Sequence, residues 1–153
     1  MNYGCSAAIG AVSGLRAFTG PAIISDAAAR KIVPVKRTPV SWLASDNIAT
    51  ATALLAAAEL VADKLPFTPR RTAALGLIAR GVTGAICGMA VVGRRKRSEK
   101  VAGAVVGASA ALAAAWVGYQ YRKRVKLPKF LAAILEDTVA VTAGTAVVKA
   151  LCR

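Results

Sequence analysis

Six ionisable residues sit inside or at the ends of otherwise apolar stretches: Arg16, Glu59, Asp63, Arg80, Glu136 and Asp137. A charge in hydrocarbon costs roughly 2.5–3.5 kcal/mol even on the mildest insertion scale, so such residues pair, line a wet cavity or escape to the interface. Four acids with two arginines can hold a cation, hold an anion, or share a proton, since two neighbouring carboxylates raise the proton affinity of one of them. Glu59 and Asp63 are four apart and share a helix face. Glu136 and Asp137 point about 100° apart on a helix, so one of the two is expected to face any shared site. Asp63 and Arg80 have simpler readings, as a solvated helix end and a snorkelling side chain. Arg16 and Glu59 lie deeper among small apolar neighbours and carry most of the case.

The elements that must position these groups are long apolar segments. A helix needs about 20 residues to cross roughly 30 Å of hydrocarbon. Residues 48–65, 72–92, 101–121 and 130–151 meet that length. Ser45-Asp46-Asn47 supplies capping side chains before the first of them, and Pro128 precedes the last. The N-terminal segment, residues 4–29, is interrupted by Arg16, Gly20-Pro21 and Asp26. Because proline lacks the helix donor and constrains the residue before it, this segment is expected to be a kinked span, with a broken, re-entrant element as the alternative. Residues 31–45 contain Pro34, Pro39 and Trp42 and read as an interfacial connection with Trp42 at head-group level. The expected fold is therefore all-α: one integral membrane domain over residues 1–153, a polytopic compact bundle of about five transmembrane or re-entrant helices.

Composition agrees. Of 153 residues, 56% are hydrophobic and only 5% aromatic. The net charge of +14 raises nucleic acid as a partner, but the basic residues cluster between the apolar segments and no recognisable nucleic-acid module accompanies them. That distribution fits loops against anionic lipid head groups. With no histidine, His-ligated zinc and His general bases are excluded. Cys5, Cys87 and Cys152 are scattered and odd in number, so they read as core thiols rather than a disulfide framework. No cofactor is expected. The first residues lack the basic region of a signal peptide, so the first apolar segment is expected to be retained.

Gly10 and Gly14, Gly84 and Gly88, and Gly103 and Gly107 have the small-xxx-small spacing of close helix contacts. They predict a tight bundle, with a homodimer as an extension. With five spans, residues 30–37, 94–100 and the C-terminus share one side and carry eleven basic residues, against eight on the other. This places the C-terminus in the cytoplasm by the positive-inside rule, with dual topology as the alternative. By helix rise, Glu59, Asp63, Arg80, Glu136 and Asp137 fall in one half of the membrane, with Arg16 near mid-depth.

Ser13-Gly14-Leu15-Arg16-Ala17-Phe18, Glu59-Leu60-Val61-Ala62-Asp63-Lys64-Leu65-Pro66 and Leu135-Glu136-Asp137 resemble a family of small bacterial integral membrane proteins, the domain of unknown function 4126. The resemblance covers nearly the whole chain and implies a multi-span helical protein of the bacterial inner membrane. It implies no activity. The physical reading expects a transporter or channel-like protein for an ion, proton or small charged solute. A membrane structural or assembly module is the alternative, and an enzyme acting on lipid phosphates through acid-held Mg²⁺ is a weaker one.

Overall fold

A computed structural model describes residues 3–35, 38–62, 74–93, 95–124 and 129–151. The described residues form six α-helices and no strand: α1 (Tyr3–Leu15), α2 (Thr19–Ala29), α3 (Asp46–Ala62), α4 (Ala74–Val92), α5 (Arg97–Arg124) and α6 (Lys129–Leu151). A single 3-10 turn, Ser41–Ala44, precedes α3 and carries the half-exposed Trp42. Ser45 is extended, and its carbonyl accepts the Ala49 N–H, so the helix starts at the expected capping site.

The largest departure from expectation is in the first segment, which is two helices rather than one kinked span. The helix stops at Arg16-Ala17-Phe18, one turn before Pro21. In a continuous helix the Pro21 ring would meet the Ala17 carbonyl and leave it without a donor. Pro21 instead occupies the first turn of α2, where a missing N–H costs little. The second helix then folds back on the first. A Cβ at Gly20 would meet the Ser13 side chain and lie 3.4 Å from the Ile9 carbonyl oxygen, whereas eleven residues of continuous helix would separate Ile9 from Gly20 by about 16 Å. At 13 and 11 residues, α1 and α2 are each about 16–20 Å long, too short to cross about 30 Å.

Two interlocking features hold the remaining helices. The first is a seam of glycines. Gly10 of α1 abuts the Gly107 backbone of α5, and Gly14 abuts Ala111, so α1 and α5 run parallel. Gly84 and Gly88 of α4 face Gly107 and Gly103 in the opposite order, so α4 runs antiparallel to both. A Cβ on Gly84 would lie 2.6 Å from the Ala111 Cβ and 2.7 Å from the Gly107 oxygen, which leaves no space for it. All three small-xxx-small pairs are thus used within one chain, and they no longer argue for a homodimer. Ser6 of α1 adds a buried hydrogen bond to the Gly88 carbonyl at 3.0 Å.

The second feature is the closing of the near end of the bundle. The last turn of α2 ends with Lys31 at φ 64°, its N–H donating to Ala28 and the Ile32 N–H to Ala27, a paired C-terminal cap. Val33, Val35, Val40 and Leu43 are buried there, and Pro34 touches Gly93, itself at φ 67° after α4. The start of α1, residues 30–35 and 38–45, Gly93, and the end of α6 therefore share this end.

Helices α4 and α5 are long and apolar enough to cross a membrane. Large apolar side chains face outward along the bundle, among them Leu54, Leu75, Ile78, Val105, Trp116 and Val139, with Leu75 at 81% exposure. Cys87 is buried and Cys5 partly so, both as free thiols; Cys152 lies outside the described residues.

The seam predicts a contrast between two glycines. Gly107→Ala places a methyl against the Gly84 backbone and should destabilise the detergent-solubilised protein by about 1–3 kcal/mol. Gly81→Ala meets only Leu112 at 3.8 Å and should be neutral or up to about 1 kcal/mol stabilising, through helix propensity. Thermal unfolding of the two variants beside the parent protein measures both.

Candidate functional site at the helix break

Breaking the first segment frees backbone groups that a continuous helix would satisfy. The Arg16 N–H still donates to Val12 at 3.0 Å and closes α1. The next two amides, Ala17 and Phe18, have left that ladder. Both donate to Glu59 of α3: Ala17 to Oε1 at 2.9 Å and Phe18 to Oε2 at 3.0 Å. The carboxylate spans the break with one oxygen per amide and lies at the start of α2, where the helix dipole favours negative charge. Since α3 begins beside the end of α2 and reaches its start at Glu59, the two helices run antiparallel.

Arg16 is the largest fully buried side chain, at 1% exposure. Its guanidinium Nη2 is ion-paired with Oδ1 of Asp137, which is 19% exposed. Asp137 is brought there by α6, which runs antiparallel to α1: Gly144 lies beside Val12 and Ile23, and Asp137 lies beside Arg16. A charge-assisted pair in so apolar a setting is strongly coupled, because removing either partner leaves the other buried without it.

Arg80 is buried at 8% exposure and does not reach outward as a snorkelling side chain would. Helix register places it with the others. Gly14 and Gly84 both meet Ala111. Arg16 lies about 3 Å beyond Gly14 along α1, and Arg80 about 6 Å beyond Gly84 in the same direction along α4. The layer is about 20 Å from the near end of the bundle, measured along α1, and about 9 Å from the start of α4.

Of the six residues expected from sequence, Arg16, Glu59, Arg80 and Asp137 therefore form one layer. Asp63 lies outside the described residues. Glu136 lies in α6, with its side chain outside the described set. The expected pairing of Arg16 with Glu59 is replaced, among the described contacts, by two separate interactions: Arg16 with Asp137, and Glu59 with the backbone. The amides of Ala17 and Phe18 were missed from sequence, because a backbone N–H carries no residue signature. The position of Pro21 four residues after Ala17 was the available signal. Among the described residues, no three acid or cysteine side chains converge as a metal site.

The two carboxylates should differ in their response to amide substitution. Asp137→Asn takes from the buried Arg16 guanidinium the negative charge paired with it and should cost about 3–5 kcal/mol. Glu59→Gln keeps one acceptor oxygen but turns an NH₂ toward the second amide, for about 1–3 kcal/mol. Chemical unfolding in detergent distinguishes them, and the order Asp137→Asn above Glu59→Gln is the expected result.

No curated protein and no solved structure matches this chain. A family model described as a domain of unknown function, DUF4126, matches residues 4–150, nearly the whole length. The glycine seam, the broken first segment and the buried charged layer are thus features of a member of that family: the chain belongs to the DUF4126 family.

Proposed function

We propose that the protein is a multi-pass protein of the bacterial inner membrane, in which α3, α4, α5 and α6 cross the bilayer and the α1–α2 hairpin enters and leaves by one face. In this reading the charged layer at the hairpin tip moves a proton, an ion or a small charged solute. The length and apolarity of α4 and α5 support the membrane setting, as do the outward apolar side chains, far more than the surface of a water-soluble monomer carries. Irregular backbone at membrane depth is tolerated only where protein or water satisfies it, and helix breaks beside buried charges are the usual form of transporter sites.

The observation that carries the reading is the Glu59 carboxylate on the Ala17 and Phe18 amides. It makes the position of the hairpin depend on the charge of one side chain from a neighbouring helix. A proton arriving at Glu59 converts one accepting oxygen into a donor facing an amide, and the contact between α3 and the hairpin loosens. Arg16, Asp137 and Arg80 in the same layer supply two positive charges and one negative charge against which that proton or another ion is exchanged.

A second reading, a structural or assembly module, is favoured by the fact that both described acids of the charged layer, Glu59 and Asp137, already have partners within the chain. Proteoliposomes separate the two. Transport predicts proton or ion flux in the parent protein, lost in Glu59→Gln while insertion and folding persist. It also predicts that the exchange Arg16→Asp with Asp137→Arg regains stability without regaining flux. Flux unchanged in Glu59→Gln, or absent from the parent for every ion tested, contradicts transport. Restoration of both stability and cellular phenotype by the exchange supports the structural reading.

A further inference from the structure

The fold gathers basic residues that are far apart in sequence onto one end of the bundle. The contact between Pro34 and Gly93, with a Gly93 Cβ falling 3.2 Å from the Pro34 ring, joins the connection after α2 to the one after α4. Arg30 and Lys31 stand exposed on the first, and Arg95, Lys96 and Arg97 on the second. Two carboxylates temper the patch: Asp26 accepts the Arg30 Nε–H at 2.9 Å, and Glu99 lies 4.0 Å from Arg95. The balance nonetheless stays positive, since the described residues among 26–46 and 93–100 include six basic ones and three acidic ones. Lys31 is held in a left-handed backbone conformation by the cap of α2, which fixes it on the rim. Trp42, half exposed on its 3-10 turn, belongs to the same end.

We infer that this end is a docking surface for anionic phospholipid head groups, with Trp42 at the depth of the glycerol backbone. The inference rests on the membrane reading above. A basic rim beside an amphipathic aromatic is the chemistry that holds a protein at an anionic leaflet. Because the hairpin returns α2 to the side from which α1 started, and α6 runs antiparallel to α1, the start of α1 and the end of α6 lie on this face, and the positive-inside rule directs it to the cytoplasm.

Tryptophan quenching by brominated lipids tests it. The chain has two tryptophans, Trp42 and Trp116, so Trp116→Phe reports on Trp42 and Trp42→Phe on Trp116. In mixed vesicles, brominated phosphatidylglycerol should quench Trp42 about fivefold more than brominated phosphatidylcholine at equal mole fraction, the enrichment expected from the attraction of even one basic residue near the surface. The preference should vanish in molar salt, which screens exposed charges, and in the variant carrying R30Q, K31Q, R95Q, K96Q and R97Q. Equal quenching by the two lipids at low salt overturns the inference, as does a preference that survives salt or the five substitutions. Trp116, outward on α5, should be quenched by both lipids. Its failure to respond to either would overturn the membrane reading itself.

Discussion

The two hydrogen bonds from the Ala17 and Phe18 amides to Glu59 are the constraint on which the fold depends. A proline four residues on forces the helix to stop at Ala17, and stopping leaves polar backbone in an apolar interior. An unsatisfied amide there costs about 1–3 kcal/mol. One carboxylate removes two such penalties and ties α3 to the tip of the hairpin. Once the tip is fixed, α2 lies back along α1 and the last turn of α2 reaches the near end. The Pro34–Gly93 contact then brings the connection between α4 and α5 to the same place.

The glycine seam and the charged layer depend on each other. Close approach of α1, α4 and α5 needs glycine at Gly10, Gly84 and Gly107, where a Cβ would strike backbone. That approach sets the register in which Arg16 and Arg80 reach the same height. Arg16 is then buried with Asp137 from α6, so the helix outside the seam is recruited by charge rather than by glycine packing alone. Moving the seam by one helical turn would carry Arg16 about 6 Å from Asp137. Packing thereby fixes the electrostatics, and the electrostatics fix the fourth neighbour of α1.

Much of this was legible in the residues. Apolar length located α3, α4, α5 and α6, which begin and end within a few residues of 48–65, 72–92, 101–121 and 130–151, because chain length, caps and prolines are local properties. The small-xxx-small pairs announced close packing, though not which helices would meet. Gly84 could have faced a second copy as readily as Gly107, and only the three-dimensional register decides. For the first segment the expectation of a kinked span gives way to its alternative, a broken element, because the effect of Pro21 falls not only on Gly20, its neighbour, but on Ala17. Glycine tolerates the first turn of α2, and the break falls at Ala17, where the proline ring would collide. Arg16 and Glu59 stood out as expensive charges, yet their partners were not legible. Glu59 is held by backbone amides, and Arg16 pairs with Asp137 on a helix more than a hundred residues away.

In the membrane arrangement proposed above, the α1–α2 hairpin returns residues 4–29 to the side they started from, which puts the start of α1 on the opposite side from where five spans would leave it. Single cysteines at Gly4→Cys, exposed and with open space around its Cβ, and at Lys149→Cys in a chain otherwise free of cysteine measure this directly. In sealed vesicles of defined orientation, a membrane-impermeant maleimide should label both positions from the same side. Labelling of Gly4→Cys from one side and Lys149→Cys from the other would mean that the first segment crosses the membrane, and would contradict the account.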